Sequence, residues 1–179
     1  MSTPTVALLI GSPRYPSRTV TLAEEIAASL SRKLPARMDF IAIKDSWRHL
    51  CQATARHELN PQGESLLRRI ETADAVVLAS PVYMGSYSGM LKHVLDLLDQ
   101  YALRGKPALL CATGGSDRYG LVVEHQFMPL AGFFRCQVVP TPIYATEAHF
   151  RDYALSDPDL RLRIDRAAEE MARLLHCKP

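Results

Sequence analysis

The stretch VALLIGSPRYPSRT, residues 6 to 19, decides the fold: an unbroken apolar run, one glycine, then two arginines among prolines and hydroxyl residues. Four further runs are strand-length and rich in apolar residues: MDFIAI (38 to 43), AVVLA (75 to 79), ALLCA (108 to 112) and QVVPTPIYA (137 to 145). VALLI, AVVLA and ALLCA are nearly continuous in hydrophobicity rather than alternating, as parallel strands covered on both faces must be, and these three form the middle of the sheet. Helical spacing separates the runs, at Leu22, Ile26 and Leu30; Leu66, Ile70 and Ala73; Leu91, Leu95 and Leu98; Val122, Gln126 and Leu130; and Leu160, Ile164, Ala168 and Leu175. Alternating strands and helices without repeats or long linkers predict one open α/β domain over residues 1 to 179, its ligand crevice beyond the carboxyl ends of the strands. Asp45 to Pro61 fits this pattern least and reads as a loop with a short helix.

Composition narrows the function classes. At 179 residues, with 47% hydrophobic and 22% charged residues, the chain can bury a sizeable core without disulfides. A formal charge of +2 gives no bulk bias toward nucleic acid, so any electrostatic function is local. Cys51, Cys111, Cys136 and Cys177 lie far apart with no CxxC and no clustered histidines, which encodes neither a metal site nor a redox pair; they read as mostly structural thiols. No apolar run reaches membrane-spanning length and no signal segment is evident, so the expectation is a cytoplasmic protein with no membrane partner.

The opening loop follows the first strand and precedes a helix from about Thr19 to Lys33, so backbone amides and the positive end of the helix dipole meet there. Gly11 allows a tight exit from the strand. Ser12, Ser17 and Thr19 offer hydroxyls, while Arg14 and Arg18 supply forked, charge-assisted donors. A phosphate monoester satisfies this set. Neither GxxxxGK[ST] nor GxGxxG is present, which excludes the nucleoside-triphosphate loop and the dinucleotide fingerprint here.

Two more loops reach the same sheet edge. In SPVYMGSYSGMLKHVLD (80 to 96), Pro81, Gly85 and Gly89 break the pattern, and a helix starts near Ser88. The exposed backbone of this loop suits a planar heterocycle, with Tyr83, Met84 and Tyr87 supplying apolar area. In ATGGSDRYG (112 to 120), paired glycines let the backbone approach a flat ligand, and Thr113 and Ser116 add hydroxyls. One anion cradle plus two glycine-containing loops fits flavin mononucleotide, FMN.

GSPRYPSR, SPVYMGSYSGMLKHVLDLL and ATGG, in this order and spacing, resemble the flavodoxin-like NAD(P)H-dependent FMN reductase family, and most closely the reductases of two-component alkanesulfonate and methanesulfonate monooxygenase systems. The resemblance implies a three-layer sandwich with a five-stranded parallel sheet of order 2-1-3-4-5. It implies an oxidoreductase using NADPH or NADH to make FMNH2 for a partner FMNH2-dependent monooxygenase, and a homo-oligomer, dimer or tetramer. It further implies that Ser12, Arg14, Ser17, Arg18 and Thr19 hold the flavin phosphate. Pro81, Val82, Tyr83, Met84 and Gly85 then border the isoalloxazine, and Thr113, Gly114, Gly115 and Ser116 lie beside the ring. No residue is required as a catalytic acid or base, since positioning carries the hydride transfer.

LVVEHQFMPLAGFF (121 to 134) reads as an apolar helix with Pro129 inside it, where proline cannot donate to the His125 carbonyl. A kink, a water or a π-type turn around His125 would relieve the conflict. In the sulfonate-linked reductases the equivalent helix carries a π insertion near the tetramer interface, and the resemblance places the inserted residue at His125, histidine there favouring the methanesulfonate-type branch.

Three functional classes follow: a reductase releasing FMNH2 to a monooxygenase, a bound-FMN reductase acting on quinones, azo dyes or metal oxyanions, and a flavodoxin-type electron carrier. The carrier fits least, because flavodoxins usually show a hydroxyl-rich phosphate loop and an acidic surface.

Overall fold

The computed structural model describes residues 3–176; Cys177 lies outside the described residues. In chain order the elements are β1 (Thr5–Ile10), α1 (Arg18–Lys33), β2 (Arg37–Ala42), the short α2 (Ile43–Ser46) and α3 (Pro61–Thr72). Next come β3 (Ala75–Tyr83), β4 (Ser86–Tyr87), α4 (Gly89–Leu97), β5 (Pro107–Gly114), a π-helical turn at Val123–Phe127 and α5 (Met128–Phe133). The chain continues through β6 (Gln137–Val138), β7 (Ile143–Thr146), β8 (Phe150–Arg151) and β9 (Ala154–Leu155) to α6 (Pro158–His176).

The parallel sheet runs β2-β1-β3-β5, and both β6 and β7 pair with β5. With β6 and β7 counted as one broken strand, this is the expected flavodoxin-like order. The break has a local cause: Pro140 and Pro142 have no N–H to give a ladder. Between them Thr141 turns to α6, its amide and hydroxyl both donating to the Glu170 carboxylate at 2.9 Å. QVVPTPIYA is therefore two short strands rather than one.

Period-two alternation divides the central strands between two cores. Ala7, Leu9, Val76, Leu78 and Leu110 pack toward α3, α4 and α5, while Val6, Leu8, Val77, Leu109 and Cys111 pack toward α1 and α6. Both faces are dry, which is why these strands read as continuous apolar runs. Burial pushes up the thiol pKa of Cys111 and that of Cys136, the latter to about 11, consistent with structural thiols; Cys51 is exposed.

The anticipated stripe Val122, Gln126, Leu130 is corrected. The Met128 amide donates to the Val123 carbonyl, five residues back, so the turn holds an extra residue and the register advances. Val122, Val123, Phe127, Ala131 and Phe134 are buried; Gln126 faces solvent. Two further expectations change. β3 continues to Tyr83 instead of ending at Ala79, and β5 continues to Gly114. Pro81 is tolerated because β1 has ended opposite Ala79, leaving a strand partner only on the β5 side.

Asp45 to Pro61 contains the end of α2 and two 3-10 turns, Trp47–His49 and Arg56–Glu58. Arg56 clasps this segment to α3, bonding Glu64 at 2.8 Å and also Glu71. Hydrogen bonding from Arg56 holds the Glu64 carboxyl below its ordinary range. A carboxylate depressed in the folded state stabilises above its unfolded pKa of about 4 and loses that contribution as pH falls through the lower folded value. Arg56→Met is expected to lower the urea unfolding midpoint at neutral pH, with the difference from wild type shrinking below about pH 4. A difference constant from pH 7 to pH 3 would count against this linkage.

Candidate active site

The site begins where β1 stops. The Gly11 amide donates to the Ala79 carbonyl at 2.8 Å, and the Gly11 carbonyl accepts from Ser88 Oγ at 2.6 Å. Ser88 also caps α4, accepting from the Leu91 amide, and its own amide donates to Ser80 Oγ at 2.8 Å. A Cβ at Gly11 would meet Ser88 Oγ at 2.7 Å and Leu91 Cβ at 2.8 Å. The glycine thus serves close packing of α4 on the strand end, in addition to the chain's exit.

The loop then delivers its hydroxyls and cations to α1. Ser17 is the N-cap, accepting from the Val20 amide, and its hydroxyl donates to Ser12 Oγ at 2.8 Å. The first-turn amides of a helix have no intrahelical partners and suit an anion. Arg14 stands exposed beside them. Thr19 and Thr113 share a buried hydroxyl hydrogen bond of 2.6 Å, which ties the start of α1 to the end of β5.

These groups converge on an open cleft of about 220 Å³. Its walls are Ser12, Arg14, Ser17, Arg18 and Thr19 from the first loop, Pro81, Val82 and Tyr83 from β3, and Thr113, Gly114 and Gly115 from β5 and the residue after it. Eleven sequence-predicted site residues therefore share one cleft. Met84, Gly85, Ser116 and His125 are not among its walls. Met84 and Gly85, with φ of 49° and 81°, form the two-residue turn between β3 and β4, a hairpin that the sequence reading took for a loop. Met84 is fully exposed at its tip. Ser116 instead offers its carbonyl to the Tyr144 hydroxyl at 2.6 Å, and His125 is exposed in the π turn. Burial, with Asp117 and Tyr119 nearby, raises the Tyr144 pKa and keeps that donor protonated.

The two glycines divide their work. A Cβ at Gly114 would collide with the Tyr144 hydroxyl, whereas one at Gly115 would meet only open space. Close approach to a flat ligand is thus available at Gly115, while Gly114 is required by Tyr144.

Pro16 and Tyr153 complete the cleft and were not anticipated. Tyr153 and Asp152 form the turn between β8 and β9, with φ of 67° and 48°. A tyrosine in this backbone region carries strain and has no simple sequence signature. A signal did exist for the β3–β4 turn, where MG stands between VY and SY.

A phosphate monoester fits the cradle on one specific ground. Arg18, a residue of the cleft wall, keeps its Nε–H buried without a hydrogen-bond partner, so its guanidinium has a donor still unmatched within the fold. A second and larger cleft, about 590 Å³, is lined by three carboxylates, Glu124, Asp157 and Asp159, against one guanidinium, Arg163, and His149, a set that suits a phosphate less well.

The strand order, with a cleft of hydroxyl and guanidinium residues at the carboxyl edge of the sheet, defines a flavodoxin-like α/β protein. The chain belongs to the NADPH-dependent FMN reductase family, whose sequence profile matches residues 4–150. As a member it is an oxidoreductase working with FMN and a reduced nicotinamide. It is 46% identical over 176 residues to the NADH-dependent FMN reductase SfnF of Pseudomonas fluorescens (strain Pf0-1), covering 97% of this chain and 94% of that one. It is 41% identical over 169 residues to an FMN reductase (NADPH) of Pseudomonas aeruginosa, covering 94% and 91%. An oxidoreductase from Corynebacterium diphtheriae superposes with a TM-score of 0.89 at 30% identity, covering 99% of both chains.

Gly114→Ala is expected to destabilise the fold by about 1–3 kcal/mol, since a methyl must displace Tyr144. Gly115→Ala should stay within about 0.5 kcal/mol of wild type. Chemical unfolding of both variants checks the contrast.

Proposed function

We propose that this protein reduces FMN with NADPH or NADH and releases the reduced flavin to a separate FMNH2-dependent monooxygenase of a sulfonate-desulfonating system, methanesulfonate type. The flavin-binding part rests on the unpartnered Arg18 Nε in a cleft that also holds Arg14 and the first turn of α1. The branch is supported by the π turn at Val123–Phe127, which surrounds His125 as the likeness to sulfonate-linked reductases anticipates. Relatives named for NADH and for NADPH both match well, which supports either nicotinamide as the reductant.

Each wall of the cleft then has a task. Ser12, Ser17, Thr19, Arg14 and Arg18 hold the phosphate through hydroxyls, charge and amides. The hydroxyl link between Thr19 and Thr113 fixes the distance between the phosphate end and the ring end. Pro81, Val82 and Tyr83 border the ring, and Thr113, Gly114 and Gly115, on the neighbouring strand, lie beside it. FMN, when bound, supplies the two-electron acceptor for hydride from the nicotinamide. The protein contributes orientation, and none of these side chains is required to move a proton.

Leu121, just before the π turn, and Phe133, at the end of α5, are 63% and 64% exposed. Apolar exposure of that size fits a contact between copies of the chain, in a dimer or tetramer. Among the described residues no helix is long and apolar enough to cross a membrane.

Nicotinamide oxidation is measured with the flavin-stripped protein while FMN rises from trace to large excess. Saturation only at FMN well above the protein concentration supports the release reading. Saturation at one FMN per chain, with turnover only after a quinone or dye is added, would replace it with a bound-flavin reductase. Replacing Arg14 and Arg18 together by alanine is expected to weaken FMN binding by about 100-fold or more while riboflavin binding changes little. Equal losses for both flavins would move the phosphate elsewhere.

A further inference from the structure

Arg18 is gripped by a segment that lies at and beyond the end of the family match. Glu147, first residue of the 3-10 turn after β7, forms an ion pair with Arg18 Nη2. Tyr153 places its ring centroid 5.2 Å from the Arg18 guanidinium carbon, within cation–π range. The Arg18 Nε remains buried and without a partner. One guanidinium is thus shared between an exposed carboxylate, an aromatic face and the cleft.

We propose that Glu147 sets the affinity of the cleft for the phosphate of FMN by occupying one arm of Arg18 and offsetting its charge. A phosphate monoester carries close to two negative charges at neutral pH, so a carboxylate on the same arginine opposes its binding. The ring of Tyr153 keeps the guanidinium in place independently of that carboxylate. Glu147 therefore contributes mainly charge, and Tyr153 mainly position. That the resulting looseness lets flavin leave after reduction rests on the release reading above; the effect on equilibrium binding does not.

Dissociation constants for FMN and riboflavin are measured by flavin fluorescence on the oxidised full-length protein, without turnover. For Glu147→Gln the FMN constant is expected to fall about two- to fivefold, the range of a solvent-screened charge pair, with the riboflavin constant unchanged. For Tyr153→Leu the FMN constant should rise about threefold or more while riboflavin stays put, and Tyr153→Phe should restore wild-type binding. Weaker or unchanged FMN binding in Glu147→Gln overturns the proposal, as does an equal shift for both flavins. Failure of the release reading shows itself differently, as saturation at one FMN per chain during turnover.

Discussion

Two of the three segments that wall the cleft meet at one buried serine. Ser88 Oγ donates to the carbonyl of Gly11 and accepts from the amide of Leu91, while the Ser88 amide reaches Ser80 Oγ. It therefore closes the end of β1, starts α4 and anchors β3 beyond the point where β1 has stopped. An unpaired carbonyl at that buried position would cost about 1–3 kcal/mol, and a serine is small enough to satisfy it against a glycine. With β1 ended and β3 and β5 running on, a shelf is left at the carboxyl edge of the sheet. The first turn of α1 lines the same cleft, so its free amides lie beside that shelf.

Much of this was legible in the chain itself. The central strands announced themselves because both faces are buried, and the cradle because hydroxyl and guanidinium residues sit between a strand and a helix. What escaped has physical causes. The stripe through Gln126 failed because a π turn adds a residue that a 3.6-residue period does not count. Pro140 and Pro142 were read through as strand, although two prolines spaced by one residue cannot keep a continuous ladder. Glu147 and Tyr153 were invisible because they lie far along the chain from Arg18 and in a segment with no periodicity.

The two glycines of ATGG are glycine for different reasons. ATGG was read as a place where backbone nears a flat ligand, and Gly115 has that freedom. Gly114 is held by a neighbour within the fold, the Tyr144 ring, whose hydroxyl binds the next loop through Ser116. Position in the cleft and tolerance to substitution are thus separate properties of adjacent residues.

The broken fifth strand has a consequence for life among other chains. An open sheet edge with a full row of amides and carbonyls is a template on which a foreign strand can add. At the β6–β7 edge there are two short pieces with prolines between them, and the amide between those prolines is turned inward to the Glu170 carboxylate. A stranger aligning along this border meets no run of donors long enough to hold it. The same prolines that spoil a regular strand leave the sheet a blunt margin on this side, opposite the continuous edge strand β2.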